Sequence, residues 1–287
     1  MTAIEDFLTA RKAERAWAFA NGFNNGDPDT NGEFACLAML LESATVLLDI
    51  GANEGLFVER AARLKPDVRI VAFEPNPAHA DGLRARLAPV KGRLEAIALS
   101  DTAGTAVLHV HDQHHATASL SGRPRMTHRF RQGMTQVEAA VRRLDDVDLN
   151  LAADDGVVMK IDTEGFEFPV LRGAAEFLTR PGPVAIILEH SFAWLETGES
   201  LIDCFNFLDA RGFDFYRLLP IGLERVRFFS ADMEQAQYCN YVALKGVGLD
   251  EARTRRLATK FGATDLHLFD QSSSGRVEDQ ATGRAPA

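Results

Sequence analysis

The sequence predicts a doubly wound α/β fold, a mostly parallel sheet with helices on both faces. Three observations carry that expectation. Apolar runs of strand length recur: "TVLLDI" (45–50), "VRIVAF" (68–73), "LEAIAL" (94–99), "VVMKID" (157–162) and "VAIILE" (184–189). Near-continuous apolarity of this kind belongs to strands buried on both faces. Segments of helical periodicity stand between them, so the chain alternates β and α. Finally, 287 residues, 46% hydrophobic and 25% charged, suffice for one full core with additions.

Taken in order, the chain opens on a helix, with Thr2 and Glu5 in a capping-box pattern and Ile4, Phe7 and Leu8 on one face. The loop "NGFNNGDPDTNGE" (21–33) leads to a second helix over Glu33–Leu41 and then the first strand. Helices are expected over Phe57–Leu64, Pro77–Leu87, Phe166–Leu178 and Ser200–Arg211. Residues 105–143 interrupt the rhythm with a strand pair at "TAVLHV" and "VEAAVRRL" around an arginine-rich loop, and an insertion of that length in a compact domain is usually functional. "FDFYRLL" and "CNYVALK" follow with no long helix between them, which predicts an antiparallel closing pair. The expected organisation is an N-terminal helical segment (1–43) on the substrate side, a main domain (44–245), a helical extension (246–270) and a disordered tail (271–287), the last lacking apolar residues to bury.

A formal net charge of −10 disfavours nucleic acid and anionic membrane as partners, since both require a basic surface. A small or neutral partner fits better. No apolar run reaches the length of a membrane span, and the opening residues are too charged for a signal-peptide core, which points to the cytoplasm. Cys36, Cys204 and Cys239 are odd in number and far apart, as expected of reduced core thiols rather than a disulfide framework.

The first strand runs into Asp49, followed by Gly51, Asn53 and Gly55. A dinucleotide fingerprint reads G-x-G-x-x-G and offers backbone amides to a pyrophosphate. Here the middle glycine is Asn53 and the last spacing is one residue short. Asp49 would also repel a diphosphate at close range, but not a cation. S-adenosylmethionine carries a sulfonium and an ammonium and no phosphate. Glu74 ends the second strand, where an acid can accept both ribose hydroxyls of an adenosine. Strand-end carboxylates that merely cap the following helices are the plainer alternative.

"VLLDIGANEGLF" (46–57), "VAFEPNP" (71–77), "LSD" (99–101), "RRLDDV" (142–147), "VVMKIDTEGFEFPVLRGA" (157–174) and "IILEH" (186–190) together resemble the FkbM-type methyltransferases, a branch of the class I S-adenosylmethionine-dependent enzymes. The resemblance covers roughly residues 44–245. It implies a Rossmann-like sheet of seven strands and methyl transfer, typically to oxygen on sugars, glycans or polyketide-like natural products, so that the partner is a small-molecule or glycan acceptor. Residue by residue, it implies that Asp49, Gly51, Asn53 and Gly55 line the cofactor loop, that Glu74 holds the ribose, and that Ser100 and Asp101 fall near the adenine edge.

Transfer to a hydroxyl needs in-line approach to the sulfonium methyl and a proton acceptor, or a metal that lowers the hydroxyl pKa. Asp162 ends the "VVMKID" strand and Glu164 follows in the same turn, so Asp162 could contact the cofactor amino group, orient the acceptor, or ligate magnesium or calcium together with Glu164. Capping of the next helix is the alternative for Glu164. Glu189 and His190 end the "VAIILE" strand on the same rim, and His190 is the general base that its ordinary pKa suggests. Lys160, inside a strand, should snorkel outward or pair with an acid such as Glu189. His109, His111, His114 and His115 invite a zinc reading that no motif supports. The arginines at 123, 125, 129 and 131 could meet an anionic group on the acceptor or stay solvated. Two rival functions remain open: a nicotinamide-dependent oxidoreductase on the same kind of sheet, and a non-catalytic binder of an adenosyl ligand.

Overall fold

A computed structural model describes residues 3–111, 114–122, 133–230, 233–234, 237–259 and 262–270. Two helices, α1 (Ala3–Ala20) and α2 (Glu33–Leu41), precede β1 (Val46–Ile50). Then come α3 (Leu56–Leu64), β2 (Arg69–Phe73), α4 (Pro77–Leu87) and β3 (Lys91–Glu95). A second, smaller sheet follows, from β4 (Ala98–Leu99), β5 (Gly104–His111), β6 (His114–Ser119) and β7 (Met134–Arg142). The chain returns through β8 (Val157–Ile161), α5 (Glu167–Arg172), β9 (Val184–His190), α6 (Ala193–Thr197) and α7 (Leu201–Asp209). It closes with β10 (Asp214–Leu219), β11 (Gly222–Val226), β12 (Cys239–Lys245), β13 (Thr254–Thr259) and β14 (Gly262–Leu268).

The large sheet has the order β13-β14-β11-β10-β12-β9-β8-β1-β2-β3. Strands β3, β2, β1, β8 and β9 are parallel, while β12 runs antiparallel to β9 and β10 to β12. These seven strands are the expected doubly wound core. Burial explains their composition: β1, β8 and β9 are buried at every position. Alternate residues feed opposite layers. Val46, Leu48, Ile50, Met159 and Ile186 join the core built with Val170 of α5 and Leu201 and Leu208 of α7, whereas Leu47, Val158 and Ile187 join the one built with α2, α3 and α4.

Three local expectations are corrected. The run 94–99 is not one strand, because the chain leaves the large sheet after Glu95 and β4 pairs with β7 instead. The helix expected over Phe166–Leu178 stops at Arg172, where Gly173 lies so near the Ser100 carbonyl that a Cβ would sit 2.0 Å from it. Residues 246–270 carry a hairpin after one short 3-10 turn, not a helix. The physical reason is edge protection: β14 pairs with β11, which would otherwise end the sheet with unpaired backbone, and buries Thr264 and Leu266 at alternate positions. The insertion holds the expected strand pair, β5 with β7, extended by β6. Thr2, the four arginines at 123, 125, 129 and 131, and the tail 271–287 lie outside the described residues. No helix among the described residues is long and apolar enough to cross a membrane.

Candidate active site

A cavity opens beyond the carboxyl ends of β1, β2 and β8, where ligands of open α/β sheets bind. Its floor is Ile50, Gly51 and Asn53 after β1, Phe73 and Glu74 after β2, and Asp162, Thr163 and Glu164 after β8. Ile97, Ala98 and Leu99 form one wall. The insertion supplies Leu108, Ala118, Ser119 and Leu120, so the small sheet covers the cavity.

The loop after β1 is bound to the protein through its own amides. Gly51 and Ala52 both donate to the Phe73 carbonyl at 3.0 Å, Asn53 N–H donates to Glu74 Oε2 at 2.7 Å, and Gly55 N–H donates to the Ala52 carbonyl at 2.8 Å. A diphosphate cradle needs such amides free. Gly51 has φ +81°, and a Cβ there would stand 1.9 Å from the Asp162 carbonyl oxygen, so glycine is what lets the ends of β1 and β8 meet. Gly55 is off the cavity wall and begins α3, packed against Leu83.

Glu74 accepts from both Asn53 N–H and Asn76 N–H, one on each carboxylate oxygen. A carboxylate has about four acceptor sites, so each oxygen keeps capacity for a further donor. Burial raises its pKa, and the two amides oppose the rise. Asp49 is also buried but lies off the cavity wall, inside β1 and directly beside Lys160 of β8. Its Oδ2 has no partner, and burial pushes its pKa up to about 7, with Lys160 opposing and Asp162, Glu74 and Glu33 adding to the rise. Ser100 and Asp101 do not line the cavity. Asp101 accepts from Arg172, whose other nitrogens grip Glu199 at 2.8 Å.

Lys160, 1% exposed, does not snorkel. Its ammonium lies 3.2 Å from Asp162 and 3.4 Å from Glu33, and over the Phe57 ring. Burial alone would lower its pKa, but Asp162, Glu33 and Glu189 more than offset this and hold it above the usual lysine range. Carboxylate oxygens of Asp162, Glu164 and Glu189 lie within 4.8 Å of one another. Burial, then Asp162 and Glu164, push Glu189 well above the ordinary carboxylate range, with Lys160 opposing.

Glu164 does not cap the following helix. It takes a left-handed conformation (φ +58°) three residues before α5, and its carbonyl accepts from Ser119 Oγ at 2.8 Å. Glu167 holds the turn instead, accepting from the amides of Thr163 and Gly165 and from the Thr163 hydroxyl. His190 ends β9 on the other face of the sheet from Glu189, packed against Trp194 and Tyr241, with its Nδ1 3.9 Å from Cys239 Sγ. The structure does not bring it to the cavity, and burial lowers its pKa to about 4. His109 and His111 join no cluster of metal-ligand type among the described residues, and the side chains of His114 and His115 lie outside them. Cys36, Cys204 and Cys239 are buried free thiols.

Glu33, Ser119 and Asn240 had no motif to announce them, and Glu167 lies in the 157–174 motif without having been singled out. Glu33 and Glu167 show the same faint signal, an acid in the first turn of a helix.

Residues 49–215, more than half of the chain, match the family described as the methyltransferase FkbM domain. The chain is 28% identical over 189 residues to the 2-O-methyltransferase NoeI of Sinorhizobium fredii, covering 62% of this chain and 76% of that protein. It is 30% identical over 166 residues to the methyltransferase sdnD of Sordaria araneosa, covering 47% of this chain and 62% of that protein, a little under two thirds of it. Among solved structures, the O-methyltransferase TomG of Streptomyces achromogenes aligns at TM-score 0.40 and 15% identity, over 75% of this chain and 80% of that one.

Proposed function

This chain belongs to the FkbM methyltransferase family, and from that premise we propose that it transfers the methyl group of S-adenosylmethionine to a hydroxyl oxygen of a small-molecule or glycan acceptor. One observation carries the reading beyond the family. A single cavity gathers Gly51, Asn53, Glu74, Asp162 and Glu164 from three strand ends, with the amides of Gly51, Ala52, Asn53 and Gly55 already bonded within the protein. Such a floor suits a cationic, phosphate-free nucleoside. It does not suit the diphosphate of a nicotinamide cofactor.

In this reading the two ribose hydroxyls donate to Glu74, whose position is set by the Asn53 and Asn76 amides. The sulfonium faces the acidic end of β8. The acceptor oxygen attacks the methyl carbon in line, the O–C bond forms as the S–C bond breaks, and the bonding pair stays on sulfur to leave neutral S-adenosylhomocysteine. Asp162 orients the acceptor hydroxyl, and the carboxylate cluster takes its proton. Lys160 fixes Asp162 from behind. The choice of oxygen is supported by the name of the NoeI relative, a 2-O-methyltransferase. Ser100 and Asp101 would act on the adenine through the backbone of the adjoining Leu99, which is on the cavity wall. The segment before residue 44 would serve the substrate side through Glu33, and the cell interior is the proposed location.

Incubation with methyl-labelled S-adenosylmethionine and panels of oligosaccharides and hydroxylated polyketides tests the proposal. An alkali-stable label on acceptor oxygen, reduced on the order of a hundredfold or more by Asp162→Asn, is the expected result. A label found on nitrogen, or equal turnover by Asp162→Asn, overturns the oxygen chemistry or the role of Asp162 respectively.

A further inference from the structure

Several side chains on one face of the sheet are polar where strands should be apolar. Asp49 in β1, Lys160 in β8, Glu189 in β9 and Asn240 in β12 share the layer of Leu47, Val158, Ile187 and Val242, and each is buried. Asp49 stands directly opposite Lys160, and Glu189 directly opposite Asn240. Against the buried carboxylates of Glu33, Asp49 and Glu189, the described residues set one buried ammonium, that of Lys160. Buried carboxylates cost several kcal/mol each unless paired, and the Lys160 ammonium is within ion-pair distance of Glu33 and Asp162 but not of Glu189.

Two members of this row have a side-chain oxygen that accepts no hydrogen bond from the described residues. Glu189 is 8% exposed, is aimed at Asp162 and Glu164, and accepts no hydrogen bond on its carboxylate from any described residue. Asn240 Oδ1, beside it on the same face, is buried with no partner, while its Nδ2 donates to the Tyr238 hydroxyl at 3.2 Å. Both are oxygen acceptors that want a cation or a proton donor. Asp162 contacts Lys160 through Oδ2, which leaves Oδ1 available.

We propose that Asp162, Glu164 and Glu189 bind one hard divalent cation, of the magnesium or manganese class, at the acceptor end of the cavity. Oxygens within 4.8 Å of one another can share an ion, since two ligands at about 2.1–2.5 Å from it stand no more than roughly 4.2–5 Å apart. An all-oxygen set selects hard ions over zinc or copper. The ligands sit on rigid supports: Glu189 on β9, Asp162 just past β8, and Glu164 in a turn fixed by Ser119 and Glu167. The site rests on this geometry alone, whereas its role rests on the methyl-transfer reading above. There the ion would hold the acceptor oxygen and lower its pKa, which would ease passage of its proton to the carboxylate cluster.

The test is titration of the chelator-treated full chain with manganese chloride, read by electron paramagnetic resonance and by calorimetry, with and without S-adenosylhomocysteine. The expected result is one saturable Mn²⁺ per chain in both conditions, weakened at least tenfold in Glu189→Gln and in Glu164→Gln and unchanged in Asp81→Asn, whose carboxylate is fully exposed. If Glu189→Gln fails to fold, the partly exposed Glu164 carries the same test. Absence of saturable Mn²⁺ binding, an affinity equal in Glu164→Gln and wild type, or displacement of Mn²⁺ by S-adenosylhomocysteine each overturns the site. Binding of S-adenosylhomocysteine without Mn²⁺ removes the cation and leaves methyl transfer standing. Binding of Mn²⁺ without S-adenosylhomocysteine keeps the site and removes the methyl-transfer reading.

Discussion

Asp49 shows how one carboxylate links folding to pH. In the fold its pKa is about 7, and Glu167 reaches about 7 for the same first cause, burial. In an unfolded chain both groups titrate near 4. Between those values the folded state holds more protons on these two groups than the unfolded one, so the stability they contribute is fully present below about pH 4 and is lost as pH rises through 7. Asp49→Asn abolishes the contribution of Asp49. The stability of this variant relative to wild type should therefore increase from pH 5 to pH 8, as read by thermal melts at fixed ionic strength. A constant offset across that range would show that Asp49 does not titrate there. Glu189 and Asp162 were legible as strand-end acids, but the pairing of Lys160 with Glu33 was not. It depends on where the N terminus of α2 lands on the sheet, which no local spacing encodes.

At the scale of elements, two glycines that look alike in sequence do different work. Gly51 has its missing Cβ aimed at a backbone oxygen, the Asp162 carbonyl at 1.9 Å, and neither strand can move without breaking register. Gly55 faces the tip of a leucine side chain at 2.8 Å, which can rotate away. Both carry positive φ, which costs an alanine about 1 kcal/mol. Gly55→Ala should thus cost about 1–2 kcal/mol, and Gly51→Ala at least about 3 kcal/mol, because it adds a backbone clash in a packed core. Urea midpoints measure both; equal losses would contradict the close approach of β1 and β8. Spacing alone made the two glycines a pair, since what separates them is a neighbour more than a hundred residues away in sequence.

Over the whole molecule, the alternation of apolar runs and helical segments was enough to read the parallel core, because burial on both faces leaves an unmistakable composition. The closing hairpin 254–268 was not readable as strand: Thr254, Arg255 and Arg256 are ordinary in either structure, and only the exposed edge of β11 makes pairing the better outcome. The same holds for His190, chemically the most suggestive residue near the rim. Its parity in β9 turns it toward Trp194 and away from Glu189, a one-residue difference that flips the side chain to the other face. Glu74, by contrast, was found from its strand end, and it is the residue on which the cofactor assignment turns. Calorimetric titration of the wild-type chain and of Glu74→Ala with S-adenosylhomocysteine and with NADH tests that assignment most directly. One site for S-adenosylhomocysteine, weakened about ten- to a hundredfold in Glu74→Ala by loss of charge-assisted hydrogen bonds of about 1.5–3 kcal/mol, and no heat from NADH, is the predicted result. Saturable binding of NADH with none of S-adenosylhomocysteine would contradict it.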